Sequence, residues 1–384
     1  MKLGVIGIGK LGLSFALLCE KKYSILGSDI NNDYVDSINQ KKLKTYEPNI
    51  EELLSNSKNL LATTDNIEVI KNSDIIFTFV QTPSLYNGSY DHENIENIIL
   101  DFKKSYENGV ELKGKIFVIG STTMPGYVKT VEERLSNFGV SVCYNPEFIA
   151  QGEIVKGLEY ADMVLIGSND DNATKKIVEI YKNIMKIEPT FNVMSNTAAE
   201  ITKISINCFL TTKISFANMI GQVCVKSGVN DETKTVLKAI GDDKRIGNKY
   251  LNFGYGYGGP CLPRDNRALG LHMERINLKT TLPYVIDEFN QNHNDFLVNE
   301  ILIKYPEKNT KLIVDGVSYK KGTNILTESQ QLKLVEKLLS LGYNVGIIES
   351  EHVINLISDN LKNQYGDLIS FSTQYNNDGL ILNI

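Results

Sequence analysis

Leu3-Gly4-Val5-Ile6-Gly7-Ile8-Gly9-Lys10-Leu11-Gly12 carries a short apolar run straight into three glycines spaced G-x-G-x-x-G. The run reads as a buried strand, and Leu13 to Cys19 behind the glycines is rich in helix-forming apolar residues. A second strand follows at Tyr23-Ser24-Ile25-Leu26-Gly27-Ser28 and ends on Asp29. Strand, glycine turn, helix, strand and acid are together the parts of a Rossmann-type dinucleotide-binding unit. Its glycines permit the turn and let a pyrophosphate approach the helix N-terminus, while the acid accepts hydrogen bonds from ribose hydroxyls. Gly7, Gly9, Lys10, Leu11, Gly12 and Asp29 are therefore candidate cofactor residues. Asp29 predicts NAD rather than NADP, because a 2′-phosphate would meet a carboxylate with Ser28 and Asn31 beside it and no arginine.

Outward from this stretch the first half alternates strands with helical segments. Asp74 to Val80 runs into Gln81-Thr82-Pro83, Lys115 to Gly120 into Ser121-Thr122, and Val140 to Tyr144 into Asn145-Pro146-Glu147, with Met163 to Gly167 following. Continuous apolar strands between helices predict a parallel sheet covered on both faces. Ligand residues belong at the carboxyl ends of such strands, where Thr82, Thr122 and Glu147 sit.

From about Thr197 the texture changes to one long helix. Its apolar residues, from Ile201 through Phe209 and Phe216 to Val223, spread too widely for one narrow stripe, so it should pack between domains or subunits. A second α/β unit returns with a strand at Leu312 to Val317, a helix at Gln330 to Leu341, a strand at Asn344 to Ile348 and a last strand at Gly379 to Ile384. The expected fold class is α/β. Its parts are a dinucleotide-binding domain over 1–195, a central long-helix domain over 196–300 for dimerisation and catalysis, and a C-terminal α/β domain over 301–384.

The 384 residues, 42% apolar and 22% charged, are those of a globular chain with room for two or three cores. A net charge of −6 argues against general nucleic-acid or anionic-membrane binding. Gly7 and Gly9 interrupt the opening strand, so it does not read as a signal peptide, and no uninterrupted apolar run approaches a transmembrane span. A cytoplasmic location is expected, with no membrane or nucleic-acid partner. The five cysteines are scattered without CxxC spacing and the four histidines are dispersed, so no disulfide framework and no metal site is expected.

One cysteine stands apart. Gly254-Tyr255-Gly256-Tyr257-Gly258-Gly259-Pro260-Cys261-Leu262-Pro263-Arg264-Asp265 delivers a thiol between two prolines on a glycine-dense loop. Glycines let the backbone approach a ligand and prolines stiffen the turn, which suits a thiol that attacks a carbonyl. A lone cysteine in a tight turn is more often structural, so its context decides.

The context resembles the UDP-glucose/GDP-mannose dehydrogenase family over nearly the whole chain. The resemblance rests on Asp243-Lys244-Arg245-Ile246-Gly247 leading into Phe253 to Asp265. The order of the other motifs agrees: Val80 to Pro83, Ser121-Thr122, Pro146-Glu147-Phe148, and Lys203 four residues before Asn207. It implies NAD-dependent oxidation of a sugar C6 alcohol through the aldehyde to the carboxylate, in a homodimer acting on a UDP-sugar. UDP-glucose is the expected substrate, with GDP-mannose or a UDP-N-acetylhexosamine as alternatives. By resemblance Cys261 is the nucleophile, Lys203 and Asn207 serve the reacting oxygen, Asp265 orients a water or Lys203, and Glu147 handles the hydrolytic water. Thr82, Thr122 and Arg264 fall to the cofactor side, and Glu153 is a nearby candidate for cofactor contact that does not match a family position as the two threonines do. Phe148, Gln151, Lys203, Asn207, Arg245, Lys249, Tyr250, Asn252, Gly258, Lys320 and Lys321 fall to the substrate.

Two positions depart from the family pattern. Gln151 stands where a second carboxylate is usual after Pro-Glu-Phe, and Thr327 where an arginine precedes Glu328-Ser329. Other readings are a two-electron hydroxyacid or 6-phosphogluconate-type dehydrogenase, which would need no cysteine, and a non-catalytic nucleotide-binding protein.

Overall fold

The computed structural model describes residues 1–149, 152–279, 281–376 and 379–382, which divide into two compact units, Met1–Ile204 and Ser205–Ile384. The first unit is built on a sheet of β1 (Lys2–Ile6), β2 (Ser24–Ser28), β3 (Leu60–Thr63), β4 (Ile75–Thr78), β5 (Ile116–Ile119), β6 (Ser141–Tyr144), β7 (Met163–Gly167) and β8 (Thr190–Met194). Their order is β3-β2-β1-β4-β5-β6-β7-β8, so the first six follow the dinucleotide-binding order with its reversal between β1 and β4.

The apolar runs are explained by burial on both faces. Leu3 and Val5 of β1, Ile75 and Phe77 of β4, and Ile116 and Val118 of β5 join one core with Phe15, Leu18 and Tyr181. The intervening Ile6, Ile76, Phe117 and Ile119 join the opposite core with Ile98, Phe102 and Val131.

The expected all-parallel sheet fails at one junction. β6 and β7 run antiparallel, meeting at Tyr144 and Gly167. Between them lies the helix Ile154–Glu159, whose six residues span about 9 Å, too little to recross the sheet. The chain therefore turns back at the carboxyl end of β6 and keeps Asn145-Pro146-Glu147 at that end.

The long helix of the sequence reading is Asn196–Lys226, 31 residues, which starts in the first unit and continues into the second. By length and composition alone it could cross a membrane, and 39% of its most apolar window is buried within the chain. Ile201, Phe209, Phe216, Met219 and Val223 on it are exposed. The second unit adds the helices Leu262–Arg275 and Leu282–Lys304 and a parallel sheet of β9 (Leu312–Asp315), β10 (Val345–Ile348), β11 (Ile369–Ser372) and β12 (Leu380–Ile381), in the order β11-β10-β9-β12. The strand expected over Gly379 to Ile384 is thus Leu380–Ile381 among the described residues.

Candidate active site

The glycine loop is shaped partly by its own packing and partly by open space. Gly7 has φ +85°, a left-handed value that favours glycine, and a Cβ on Gly12 would lie 2.2 Å from Gly7 O. Gly9 differs, since a Cβ there would meet nothing within 4 Å. Packing leaves room at Gly9, and no side chain caps the helix Lys10–Cys19 that starts behind it. An uncapped N-terminus beneath an open glycine fits a dinucleotide diphosphate. Lys10 is exposed and Leu11 half-buried at the same turn.

Asp29 stands at the end of β2, half-buried, with Oδ1 accepting from Asn31 N at 3.1 Å. Exchange of this carboxylate tests the cofactor reading. Asp29→Ala should lose at least about tenfold of its preference for NAD over NADP, roughly 1.4 kcal/mol, read as the ratio of kcat/KM values. An unchanged ratio would remove Asp29 from ribose recognition.

The ends of β4 and β5 come together as the sequence suggests. Thr82 Oγ1 donates to Thr122 O at 2.7 Å and Ser121 Oγ to Val80 O at 2.6 Å. Behind them lies a residue that sequence reading missed. Glu200, fully buried, accepts from Thr123 Oγ1 at 2.8 Å, Gly126 N at 2.7 Å and Val128 N at 2.9 Å. It fastens the loop after β5 to the helix that carries Lys203, and burial pushes its carboxyl up to about 7 despite these donors. Glu200→Ala would strand three donors, so unfolding free energy should fall by about 3 kcal/mol or more in denaturant titration. A loss below about 1 kcal/mol would show that water replaces the carboxylate easily.

Glu147, Phe148 and Lys203 also meet. Lys203 is buried on the long helix, its Nζ donates to Glu147 O at 2.8 Å, and it stands 4.5 Å over the Phe148 ring. Tyr181 OH lies 2.5 Å from Glu147 Oε1. Burial raises the Glu147 carboxyl, against the opposing effects of the Tyr181 hydroxyl and the Lys203 charge. Glu153 is exposed and pairs with Lys156 at 3.4 Å, and Gln151 lies outside the described residues.

In the second unit the cysteine loop is clamped along its length. Gly254 N donates to Asn218 Oδ1 at 3.0 Å, and Asn290 brackets Tyr257 by accepting from its N–H and donating to its carbonyl, both at 2.9 Å. A Cβ on Gly258 would fall 2.5 Å from Glu328 O, and one on Gly259, where φ is +83°, 2.5 Å from the Tyr319 ring. These two glycines are required by the segments packed over them. Cys261 is the N-cap of the helix Leu262–Arg275 and its side chain is exposed, whereas Cys19, Cys143, Cys208 and Cys224 are buried.

Asp265 is completely buried, accepts from Asn207 Nδ2 at 2.7 Å and pairs with Arg264 Nε at 3.3 Å. Asn207 and Asp265 are thus brought together. Arg245 is 88% exposed and folds back on Asp243 at 2.6 Å, while Lys213 Nζ holds Ile246 O and Gly247 O at 3.1 Å. Lys249, Tyr250 and Asn252 are exposed beyond it, Tyr250 with φ 67°. Lys320 and Lys321 are exposed after β9, Lys321 3.4 Å from Asp315. Glu328, after Thr327, takes Arg267 Nη1 at 2.7 Å and Lys333 Nζ at 2.9 Å. No cluster of histidine, cysteine and carboxylate side chains able to hold a metal occurs among the described residues.

The first unit has the strand order of a dinucleotide-binding domain, and the second carries a clamped, exposed thiol. Comparison with known proteins identifies the class as nucleotide-sugar dehydrogenases. Residues 1–185 match the NAD binding domain, and residues 197–292 the central domain, of the UDP-glucose/GDP-mannose dehydrogenase family, so the chain belongs to that family and NAD is its cofactor. It is 29% identical over 360 residues to UDP-glucose 6-dehydrogenase of Pseudomonas aeruginosa, covering 90% of this chain and 78% of the relative. It is 28% identical over 365 residues to GDP-mannose 6-dehydrogenase of Pseudomonas putida, covering 91% and 81%. The structure of a UDP-glucose dehydrogenase from Pyrobaculum islandicum matches with TM-score 0.84 and 26% identity, over 97% of this chain and 85% of that one.

Proposed function

We propose that the protein oxidises UDP-glucose at C6 to UDP-glucuronate by a four-electron reaction. One primary alcohol, one water and two NAD give one carboxylate, two NADH and protons. The observation that carries this reading is the exposed Cys261 thiol at a helix N-terminus, on a loop held by Asn218, Asn290, Glu328 and Tyr319. NAD, when bound, supplies the oxidising capacity, two electrons per molecule. Gly7, Gly9, Lys10, Leu11 and Gly12 would hold its diphosphate and Asp29 its ribose, with Thr82, Thr122 and Arg264 on the cofactor side.

The chain's own groups have separate tasks. Lys203 exchanges a proton with the reacting oxygen and stabilises negative charge on it, and Asn207, aimed by Asp265, donates a hydrogen bond. Cys261 Sγ bonds to the aldehyde carbon while the carbonyl oxygen takes a proton, giving a thiohemiacetal that keeps the aldehyde on the enzyme. Its oxidation leaves a thioester. Glu147 takes a proton from the water that attacks this thioester, the C–S bond breaks, and the sulfur leaves with the bonding electrons. Phe148, Gln151, Arg245, Lys249, Tyr250, Asn252, Gly258, Lys320 and Lys321 are assigned to the nucleotide sugar.

The same reading divides the chain functionally at 1–195, 196–300 and 301–384 and makes it a cytoplasmic homodimer without membrane or nucleic-acid partners. The exposed Phe209, Phe216, Met219 and Val223 on one long helix support a second copy as its cover.

NADH formation across a panel of nucleotide sugars tests the proposal, with UDP-glucose expected to show the highest kcat/KM. Preference for GDP-mannose or a UDP-N-acetylhexosamine would move the sugar and keep the chemistry, whereas no NADH with any of them would contradict both. Arg245→Ala should raise the KM for the sugar about tenfold or more and leave that for NAD nearly unchanged, since a guanidinium fork suits a diphosphate. Equal effects on both would remove Arg245 from substrate binding.

A further inference from the structure

Around half-buried Glu147 the hydrogen bonds can be counted proton by proton. Asn145 is fixed at the end of β6, its N–H donating to Ile119 O at 2.8 Å and its Nδ2 to Leu165 O at 2.9 Å. The amide orientation follows, and Oδ1, which can only accept, faces the Tyr181 hydroxyl at 2.7 Å. The same hydroxyl lies 2.5 Å from Glu147 Oε1. Burial pushes the Tyr181 phenol far above its ordinary range, so it keeps its proton. One phenolic proton cannot serve two acceptors. The second contact needs a proton from the carboxyl.

We propose, extending the reading of Glu147 as the hydrolytic carboxyl, that Glu147 rests as the neutral acid, donating to Tyr181 Oη while Tyr181 donates to Asn145 Oδ1. Loss of the carboxyl proton then reverses one hydroxyl. Tyr181 turns its proton from Asn145 onto the carboxylate, and Asn145 Oδ1 is left without that donor. Tyr181 and Asn145 are positioning residues in this scheme. They set the pH above which Glu147 can take a proton from water.

The other groups facing Glu147 are consistent with a neutral resting state. On the helix Lys10–Cys19 the buried Cys19 thiol is held well above its ordinary range and brings no charge. On the helix Asp171–Ile184 the facing group is Tyr181 itself. On the long helix the Lys203 ammonium favours the carboxylate, and its Nζ donates to the Glu147 carbonyl. Burial outweighs that charge.

Infrared difference spectra of the full-length protein, wild type against Glu147→Gln, read the carboxyl directly. A protonated-carboxyl C=O band assigned to Glu147 is expected to persist above the ordinary carboxylate range and to vanish on further titration. Asn145→Leu removes the competing acceptor, so Tyr181 serves the anion at no cost and the midpoint should fall by about one pH unit. Tyr181→Phe removes the donor that the anion needs more than the acid does, so the midpoint should rise by about one unit. Opposite shifts are the signature of this arrangement, since a mere loosening of the fold would move both midpoints toward the ordinary value. Absence of the wild-type band, or shifts in the same direction, would overturn the proposal. Should Asn145→Leu fail to fold, the wild-type band and the upward shift in Tyr181→Phe remain decisive. The titration needs no substrate, so these results would support the proposal even if no nucleotide sugar were turned over, an outcome that would sink the functional reading alone.

Discussion

Cys261→Ala is expected to stop the reaction short of the acid, lowering formation of the carboxylate by at least about a thousandfold, roughly 4 kcal/mol of barrier. The size follows from the step lost. Without a sulfur there is no thiohemiacetal to hold the aldehyde and no thioester for water to open. The fold should tolerate the change, because Cys261 is exposed and contributes no buried side chain to a core, unlike the other four cysteines. Cys261→Ser tests the same step differently, since a serine alkoxide is harder to generate and its ester less reactive, so a covalent sugar adduct should build up and be visible by mass spectrometry. Acid formation near the wild-type rate in Cys261→Ala would contradict the covalent route.

Lys203→Met carries the second large effect. This buried ammonium donates to Glu147 O at 2.8 Å and covers the Phe148 ring at 4.5 Å, so methionine fills the space and removes the exchangeable proton and the charge. A fall in kcat of about 100- to 10,000-fold with a modest change in KM is expected, the range for loss of a positioned proton-transfer group. Lys203→Arg should not restore it, because a guanidinium keeps its proton at any working pH and its planar fork does not fit a point-charge site. A kcat within tenfold of wild type, or rescue by arginine, would reassign Lys203 to a structural role.

Much of the fold was legible because its strongest signals are local. The apolar runs of β1, β4, β5 and β7 had to be strands buried on both faces, and the glycine turn with Asp29 fixed the dinucleotide order around β1. Half-exposed strands gave no such signal. β3 and β8 lie at the two edges of the first sheet and β11 at one edge of the second, where one neighbour is missing and side chains stay partly in solvent. The antiparallel turn after β6 was hidden because a six-residue helix looks in sequence like the start of an ordinary crossover.

Within the candidate site the motif residues were legible and their supports were not. Thr82 with Thr122, Glu147 with Lys203, and Asn207 with Asp265 are each brought together. Glu200, three residues before Lys203 on the same helix, differed in sequence from no other helical glutamate until its three donors were seen. Tyr181 was hidden in an amphipathic helix as one more core aromatic. Polar groups that work through partners distant in sequence leave no spacing rule to read.

The most direct measurement is the yield of NADH per UDP-glucose consumed, taken alongside identification of the product by mass spectrometry. Two NADH per sugar with UDP-glucuronate and little released aldehyde is the result predicted for oxidation on Cys261. One NADH per sugar with free aldehyde would contradict it.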